Sequence, residues 1–299
     1  MIGRAGRVRE QRGPDAAATA ETVLRLAVLL QAGVSPARAW MHLAASGDPA
    51  AVRVHAAVDS GATVAAAVSG LGGAWTEVAA AWDVATTVGA PLAASLRGVA
   101  VALRDAQETT DDVRVALAEP AGTARLMGLL PLVAVGLGIA LGFDTLGMLV
   151  GSPLGMACLV AGIALIVAAR RWSSRLVRRA RPTPGIPGLH AELLAIGLSG
   201  GVSIDRARSI VSRAHPTAAD ESTDETLALS RDAGVPAVEL LRASASLARH
   251  RARTDGRMKA AALSSQLLLP LGVCTLPAFL LLGVAPMLLG VLSSTSIRI

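Results

Sequence analysis

One segment of the sequence fits the pattern of a catalytic motif. It reads Gly197-Leu198-Ser199-Gly200-Gly201, which has the Gly-x-Ser-x-Gly spacing of a hydrolase nucleophile elbow. That elbow joins a strand to a helix, whereas the residues before Ser199 have the composition of a helix. The sequence therefore predicts that Ser199 ends a helix and that it is not a nucleophile.

The other residue types that carry chemistry are few and scattered. The single lysine, Lys259, does not follow a glycine, as the lysine of a phosphate-binding loop does. Cys158 and Cys274 lie in apolar stretches and form no Cys-x-x-Cys pair. No two histidines are four residues apart, so the helical zinc motif is absent. We therefore expect no enzyme activity, no cofactor and no metal ion.

Acidic residues cluster in one segment of the chain. The cluster and its basic neighbours are Arg104, Asp105, Glu108, Asp111, Asp112 and Arg114. Opposite charges three or four residues apart pair along a helix, so we expect an exposed, ion-paired helix surface. A cation site is the alternative.

The composition indicates a membrane protein. Of the 299 residues, 53% are hydrophobic and 17% are charged, and the mean hydropathy is +0.54. The net charge of +6 is compatible with nucleic-acid binding, yet only two Phe and no Tyr are present for base stacking. We expect no nucleic-acid partner.

Three apolar stretches are long enough to cross a bilayer. They are residues 126–142, a segment within 146–169, and Leu267 to Leu292. The third stretch contains Pro270, Pro277 and Pro286, which predict kinks. A buried core helix is the alternative for each stretch, although a soluble core does not require such uncharged lengths.

A basic segment follows the second apolar stretch. Its arginines are Arg170, Arg171, Arg175, Arg178, Arg179 and Arg181. The positive-inside rule places this segment in the cytoplasm, which also puts residues 1–125 there and the C-terminus outside. A lipid-binding role is the alternative to a purely topological one.

Glycines four residues apart occur in the apolar stretches. Gly138 and Gly142 form one pair, and Gly151 and Gly155 form another. Small residues at this spacing let helix backbones approach each other. We expect these glycines to pack the spans within one protomer or between protomers.

Two parts of the chain resemble each other. Gly33-Val34-Ser35 matches Gly201-Val202-Ser203, and Gly89-Ala90-Pro91 matches Gly234-Val235-Pro236. In each copy we expect the first glycine to end a helix, the serine to cap the next helix, and the proline to open a long helix. Each long helix leads towards a predicted span.

The second long helix carries a basic stretch before its span. Its arginines are Arg249, Arg251, Arg253 and Arg257. They are candidate contacts for an acidic partner surface, where such charges mainly change the rate of association and its dependence on salt. The alternative is that they only hold the helix at the cytoplasmic face of the membrane.

These turns, helix starts and apolar stretches together resemble the type II secretion system F-domain family, and in particular its tight-adherence (Flp) pilus branch. Further matching segments are Leu130-Pro131-Leu132, Leu141 to Asp144, Gly151 to Gly155, and Leu276 to Leu281. The resemblance covers about residues 20–292.

The resemblance implies an inner-membrane platform protein that couples a cytoplasmic ATPase to pilin assembly. The implied partners are membrane lipid, the ATPase, pilin subunits, and either further copies of the chain or a sister platform subunit. A transporter or channel accessory subunit is the alternative function.

We therefore predict an all-α, multi-pass membrane protein with two repeated helical cytoplasmic domains and three transmembrane helices. The predicted order is a basic tail (1–20), a first cytoplasmic domain (21–125), a two-span hairpin (126–169), a basic linker (170–188), a shorter cytoplasmic domain (189–262), a third span (263–292) and an external tail (293–299).

Overall fold

The computed structural model of the chain describes residues 16–140, 147, 150–180, 185–216, 221–286 and 288. All regular elements in these residues are helical, which confirms the predicted all-α class. The chain divides into two compact units. The first contains Met1–Thr109 and Pro184–Arg253, and the second contains Thr110–Thr183 and Thr254–Ile299.

The helices follow one another along the chain, and two of them are long enough to belong to both units. In order, they are α1 (Ala16–Gln31), α2 (Pro36–Ala45), α3 (Pro49–Asp59), α4 (Val64–Ser69), α5 (Trp75–Val88), α6 (Leu92–Ala140), α7 (Pro153–Ala180), α8 (Leu189–Ser199), α9 (Ile204–Ala214), α10 (Glu221–Ala233) and α11 (Ala237–Gln266). The long helices α6 and α11 begin in the first unit and end in the second.

Tryptophans lie at the centre of the core of the first unit. The ring centroid of Trp40, on α2, lies 6.2 Å from that of Trp75 and 6.3 Å from that of Trp82, both on α5. Tilted aromatic pairs at this separation are favourable beyond the area that they bury. Leu193 and Leu194 of α8 belong to the same core, so helices from both predicted cytoplasmic segments contribute to it.

The predicted glycine turns are present in both copies. Gly33 and Gly201 have φ values of +86° and +78°, in the left-handed region that glycine adopts without strain. Ser203 caps α9, because its hydroxyl accepts a hydrogen bond from the Arg206 amide. Ser35 occupies the cap position of α2, but its hydroxyl accepts no cap hydrogen bond. There, Pro36 at the first helical position presets the start of the helix.

The long helix α6 begins directly after Pro91, whose carbonyl accepts the first helical hydrogen bond, from the Ser95 amide. The helical spacing of Leu92, Leu96, Val99 and Leu103 predicts one apolar face; the last three are fully buried, and Leu92 is half-buried. The predicted helix end at Ser199 is also confirmed, since α8 ends at that residue. The Ser199 hydroxyl donates a hydrogen bond to the carbonyl of Ile196, at 2.7 Å.

Two helices of the described residues are long and apolar enough to cross a membrane. They are Pro153–Arg178 and Ala237–Val284, and they contain much of the second and third predicted stretches. The first predicted stretch, 126–142, falls mostly at the end of α6, where most side chains lie outside the described part. It therefore remains a prediction. Because α7 continues to Ala180, the basic segment begins as an extension of the span's helix.

The last described part of the chain alternates α-helix with wider π-helix. After α11 come α12 (Leu268–Pro270), a π-helical segment Leu271–Thr275, α13 (Leu276–Phe279) and a second π-helical segment Leu280–Val284. Each π-helical segment ends two residues before a proline, Pro277 or Pro286. A proline ring clashes with the carbonyl four residues before it, and a wider turn relieves that clash.

Candidate charge cluster and membrane-facing surface

A buried carboxylate lies in the first unit, on the short apolar helix α8. Glu192 is only 5% exposed. A Cβ added to Gly98 of α6 would lie 2.4 Å from Oε1 of Glu192, so the carboxylate occupies space that the missing side chain of this glycine leaves beside α6. The helix α6 therefore approaches α8 closely where the charge is buried.

Arg249 of α11 completes this cluster of charges. Its Nε donates to Oδ2 of Asp105 at 2.9 Å, and its Nη1 lies 3.9 Å from Oε2 of Glu192. The Arg249 side chain is only 10% exposed. We call Glu192, Arg249 and Asp105 the charge cluster. It ties α11 to α6 and α8 within the first unit.

The pKa of Glu192 shows which effect dominates in the charge cluster. Burial raises the pKa of this carboxyl above its ordinary value, while the positive charges of Arg249 and Arg242 lower it to a smaller extent. The net shift is upward, so desolvation of the carboxylate outweighs the attraction of the two arginines. The folded state therefore favours the protonated form more than the unfolded chain does.

Two more ion pairs join α6 and α11. In the first unit, Nη1 of Arg253 lies 2.8 Å from Oε2 of Glu108. In the second unit, Nη2 of Arg257 lies 2.9 Å from Oδ2 of Asp112. In the first unit the paired residues advance together along both helices, from Asp105 to Glu108 and from Arg249 to Arg253, so the helices run parallel there.

Through these pairs, the acidic segment binds partners that lie far away in the sequence. Local pairing was expected, and it is present between Arg114 and Asp111, at 3.0 Å. Three other acids of the cluster instead bind arginines about 145 positions later, which no local spacing rule can indicate. Among the arginines predicted as partner contacts, only Arg251 is exposed without an ion pair in the described residues.

In the second unit, α7 packs against the last described segment of the chain. A Cβ added to Gly162 would lie 2.5 Å from Cγ of Leu282, so the Leu282 side chain occupies the space that this glycine leaves. Gly155 and Ala169, seven residues before and after Gly162, are also buried. Small residues seven apart therefore line the packed side of α7, where close approach of the backbones is possible.

The glycines that the sequence singled out have different surroundings. Gly155 is buried on the packed side of α7, whereas a Cβ on Gly151 would meet open space. Gly142 and the surroundings of Gly138 lie outside the described part. A spacing of four residues between glycines does not indicate Gly162; its spacing of seven from Gly155 is the signal that the sequence offers.

The basic segment is helical and exposed over the described residues. Arg170, Arg171, Arg175 and Arg178 are all exposed on α7, while the side chain of Arg179 and all of Arg181 lie outside the described part. Leu176 and Val177, on another side of α7, pack with the buried Leu263 and Leu267 of the same unit.

A histidine and a glutamate form a further pair that the spacing of residues in the sequence does not indicate. Nε2 of His215 lies 2.8 Å from Oε2 of Glu77, and both side chains are largely buried in the first unit. Within the described residues, no three His, Cys, Asp or Glu side chains are grouped so that they could hold a metal ion. The pairs of Arg249, Arg253, Arg257 and His215 with acidic residues join different helices, which is an arrangement that holds helices together.

These features define a class of protein: an all-helical chain in which a folded unit with internal charge pairs is joined to helices able to cross a membrane. Residues 23–140 match the family model described as Type II secretion system (T2SS), protein F. This match supports, over these residues, the resemblance to the type II secretion system F-domain family that the sequence predicted. The family consists of inner-membrane platform proteins of type II secretion and type IV pilus-type machines. Comparison with curated proteins and with solved structures finds no significant match.

Proposed function

We propose that this chain is the inner-membrane platform of a tight-adherence (Flp) type pilus assembly machine, and that it couples a cytoplasmic ATPase to pilin assembly. The F-domain match over residues 23–140 carries the proposal. The two helices able to cross a membrane support it, because a platform must be anchored where pilins leave the bilayer.

The long helices suggest how force passes along the chain. The helix α6 contains 49 residues, and a second helical stretch of 48 residues runs over Ala237–Val284. At about 1.5 Å per residue, each extends roughly 70 Å. The pairs of Arg249 with Asp105 and of Arg253 with Glu108 hold the two helices side by side in the first unit. We assign the two helices the role of a lever from the cytoplasmic unit to the spans.

The proposed topology has residues 1–125 and 170–262 in the cytoplasm and the C-terminus outside. The exposed arginines of α7 support this orientation, since cytoplasmic segments are rich in Arg. Reporter fusions near residues 150 and 299 are expected to be active outside the cytoplasm. An externally active fusion near residue 215 would contradict the topology.

Deletion of the gene in the native host tests the proposed function. The surface filament is expected to be lost while its pilin accumulates in the inner membrane, and a plasmid copy of the full chain is expected to restore assembly. The tagged full chain is expected to retain the assembly ATPase and the pilin of the same machine. Normal filaments in the deletion strain would refute the proposal, and a transport defect without a filament defect would favour the transporter alternative.

A matched pair of variants tests the lever. Residues 115–118 of α6 are replaced either by four glycines, which destabilise a helix, or by four alanines, which preserve it. The glycine variant is expected to insert and to retain the ATPase but to assemble no filaments, whereas the alanine variant assembles them. Equal assembly by both variants would show that continuity of the helix is not needed.

A further inference from the structure

Three arginines form one stripe along about the last three turns of α7. Arg171, Arg175 and Arg178 follow a spacing of four and three residues, so at about 100° per residue they lie within an arc of about 60°. We call these residues the arginine stripe. All three are exposed, and none is in an ion pair with another described residue.

The arginine stripe lies opposite the packed side of α7. Gly162, Leu176 and Val177 contact the other helices of the second unit, and their mean direction is about 180° from that of the stripe. The stripe therefore faces away from the described residues of this unit that α7 packs against.

The arginine stripe also continues an exposed apolar stripe. Val160, Ile163 and Val167 are exposed, with 62% exposure for Val160, and they lie on nearly the same side of α7 as the arginines. Arg171 follows Val167 by one helical turn. The surface of α7 therefore changes from apolar to basic within one helical turn, which fits the boundary between lipid chains and headgroups.

We propose that the arginine stripe binds anionic phospholipid headgroups of the cytoplasmic leaflet. A guanidinium can hold a phosphate through two parallel hydrogen bonds, and three exposed guanidinium groups present a surface complementary to negative charge. The exposed apolar stripe below supplies the surface for the acyl chains. This continuity distinguishes a lipid from a free phosphate, which would gain nothing from Val160, Ile163 and Val167.

The chain contains a built-in reporter for this site. Trp172 is adjacent in sequence to the stripe and is 42% exposed, whereas Trp40, Trp75 and Trp82 are buried in the first unit. Lipids with brominated acyl chains quench tryptophan only on contact. Quenching in vesicles therefore reports the lipids beside Trp172.

The test uses the full chain in vesicles that contain one part phosphatidylglycerol to four parts phosphatidylcholine. Either the anionic or the zwitterionic lipid carries the bromine label. Each basic residue near the surface favours anionic lipid by about five-fold, so we expect phosphatidylglycerol to quench Trp172 several-fold more than its mole fraction predicts. A Trp172→Phe variant should remove this signal.

Matched variants assign the enrichment to the stripe. The triple variant Arg171→Gln, Arg175→Gln and Arg178→Gln is expected to reduce quenching by phosphatidylglycerol to its bulk mole fraction. A control variant removes the same charge from exposed positions of the first unit: Arg38→Gln, Arg53→Gln and Arg231→Gln. It is expected to keep the enrichment.

The proposal would be overturned if phosphatidylglycerol were not enriched beside Trp172 in the wild-type chain, or if its enrichment persisted in the triple variant. It would also be overturned if millimolar glycerol phosphate abolished the enrichment, because that result would indicate a site for soluble phosphate. If the triple variant does not insert, quenching by brominated phosphatidylcholine will also be lost. In that case the proposal is decided by two other measurements. One compares quenching by the two labelled lipids in the wild-type chain, and the other measures quenching in the single variant Arg175→Gln. Neither measurement requires the ATPase or pilin, so the outcome is separate from that of the proposed function.

Discussion

Replacing Arg249 by glutamine removes the central residue of the charge cluster. The substitution deletes the guanidinium that lies 2.9 Å from Asp105 and 3.9 Å from Glu192. It leaves a carboxylate that is only 5% exposed without its nearest positive charge. We expect Arg249→Gln to destabilise the first unit, and to do so more strongly at higher pH.

The size of the effect follows from burial. Removing one partner of a buried ion pair typically costs about 3–5 kcal/mol, because a charge remains buried and uncompensated. Asp105 is half-exposed, and Glu192 can bind a proton, so the lower end applies, about 3 kcal/mol at pH 7.5. For a unit of roughly 180 residues, this is a fall in Tm of about 6–12 °C.

The dependence on pH follows from the raised pKa of Glu192. A carboxyl whose pKa is higher in the folded state makes that state bind more protons than the unfolded chain. Its contribution to stability is complete below its ordinary pKa of 4.5 and is lost as the pH rises through the raised value. Loss of Arg249 raises this pKa further. The destabilisation caused by Arg249→Gln is therefore expected to shrink as the pH falls towards 5.

Glu192→Gln gives an expectation of opposite sign. Because burial outweighs the two arginines, the folded state favours a neutral side chain at this position. We expect Glu192→Gln to keep or raise the Tm at pH 7.5, although it removes a charge from the cluster. The double variant Arg249→Gln, Glu192→Gln is expected to recover most of the loss caused by Arg249→Gln alone.

The assay is thermal unfolding of the full chain in detergent, followed by tryptophan emission. A Trp172→Phe background leaves only Trp40, Trp75 and Trp82, which lie in the first unit. Arg251→Gln is the matched control on the same helix, expected to change stability by less than about 0.5 kcal/mol. The reasoning would be refuted if Arg249→Gln lowered the Tm by less than about 2 °C at pH 7.5. It would also be refuted if the loss of stability did not vary with pH, or if the double variant did not recover stability.

Two further predictions concern the other contacts. Charge reversal at Glu108 or Arg253 alone is expected to lower the free energy of unfolding by about 0.5–1 kcal/mol. The double exchange, Glu108→Arg with Arg253→Glu, is expected to restore most of this loss. A double-mutant cycle that shows no coupling energy would contradict the ion pair. Gly162→Ala is expected to destabilise the packing of the second unit by about 1–3 kcal/mol, and Leu282→Ala to compensate in part. Chemical unfolding in detergent measures both, and equal stability of Gly162→Ala and the wild type would show that Leu282 does not fill this space.

The sequence by itself determined the parts of the protein that depend on local spacing. The buried positions Leu96, Val99 and Leu103 follow from helical periodicity, and the left-handed turns at Gly33 and Gly201 follow from the freedom of glycine. The secretion-family domain could also be predicted, because the turns, helix starts and apolar stretches occur in a distinctive order.

Only the tertiary structure decided which distant residues meet. Asp105 and Arg249 are 144 positions apart, and no periodicity along either helix indicates that they pair. The same holds for Glu192, since a single acid on an apolar helix does not show which arginine will balance it. The role of Gly162 in helix packing depends on Leu282, whose side chain lies beside it. Such contacts depend on how helices pack, and packing depends on the shapes of both partners, which a pattern in one segment does not contain.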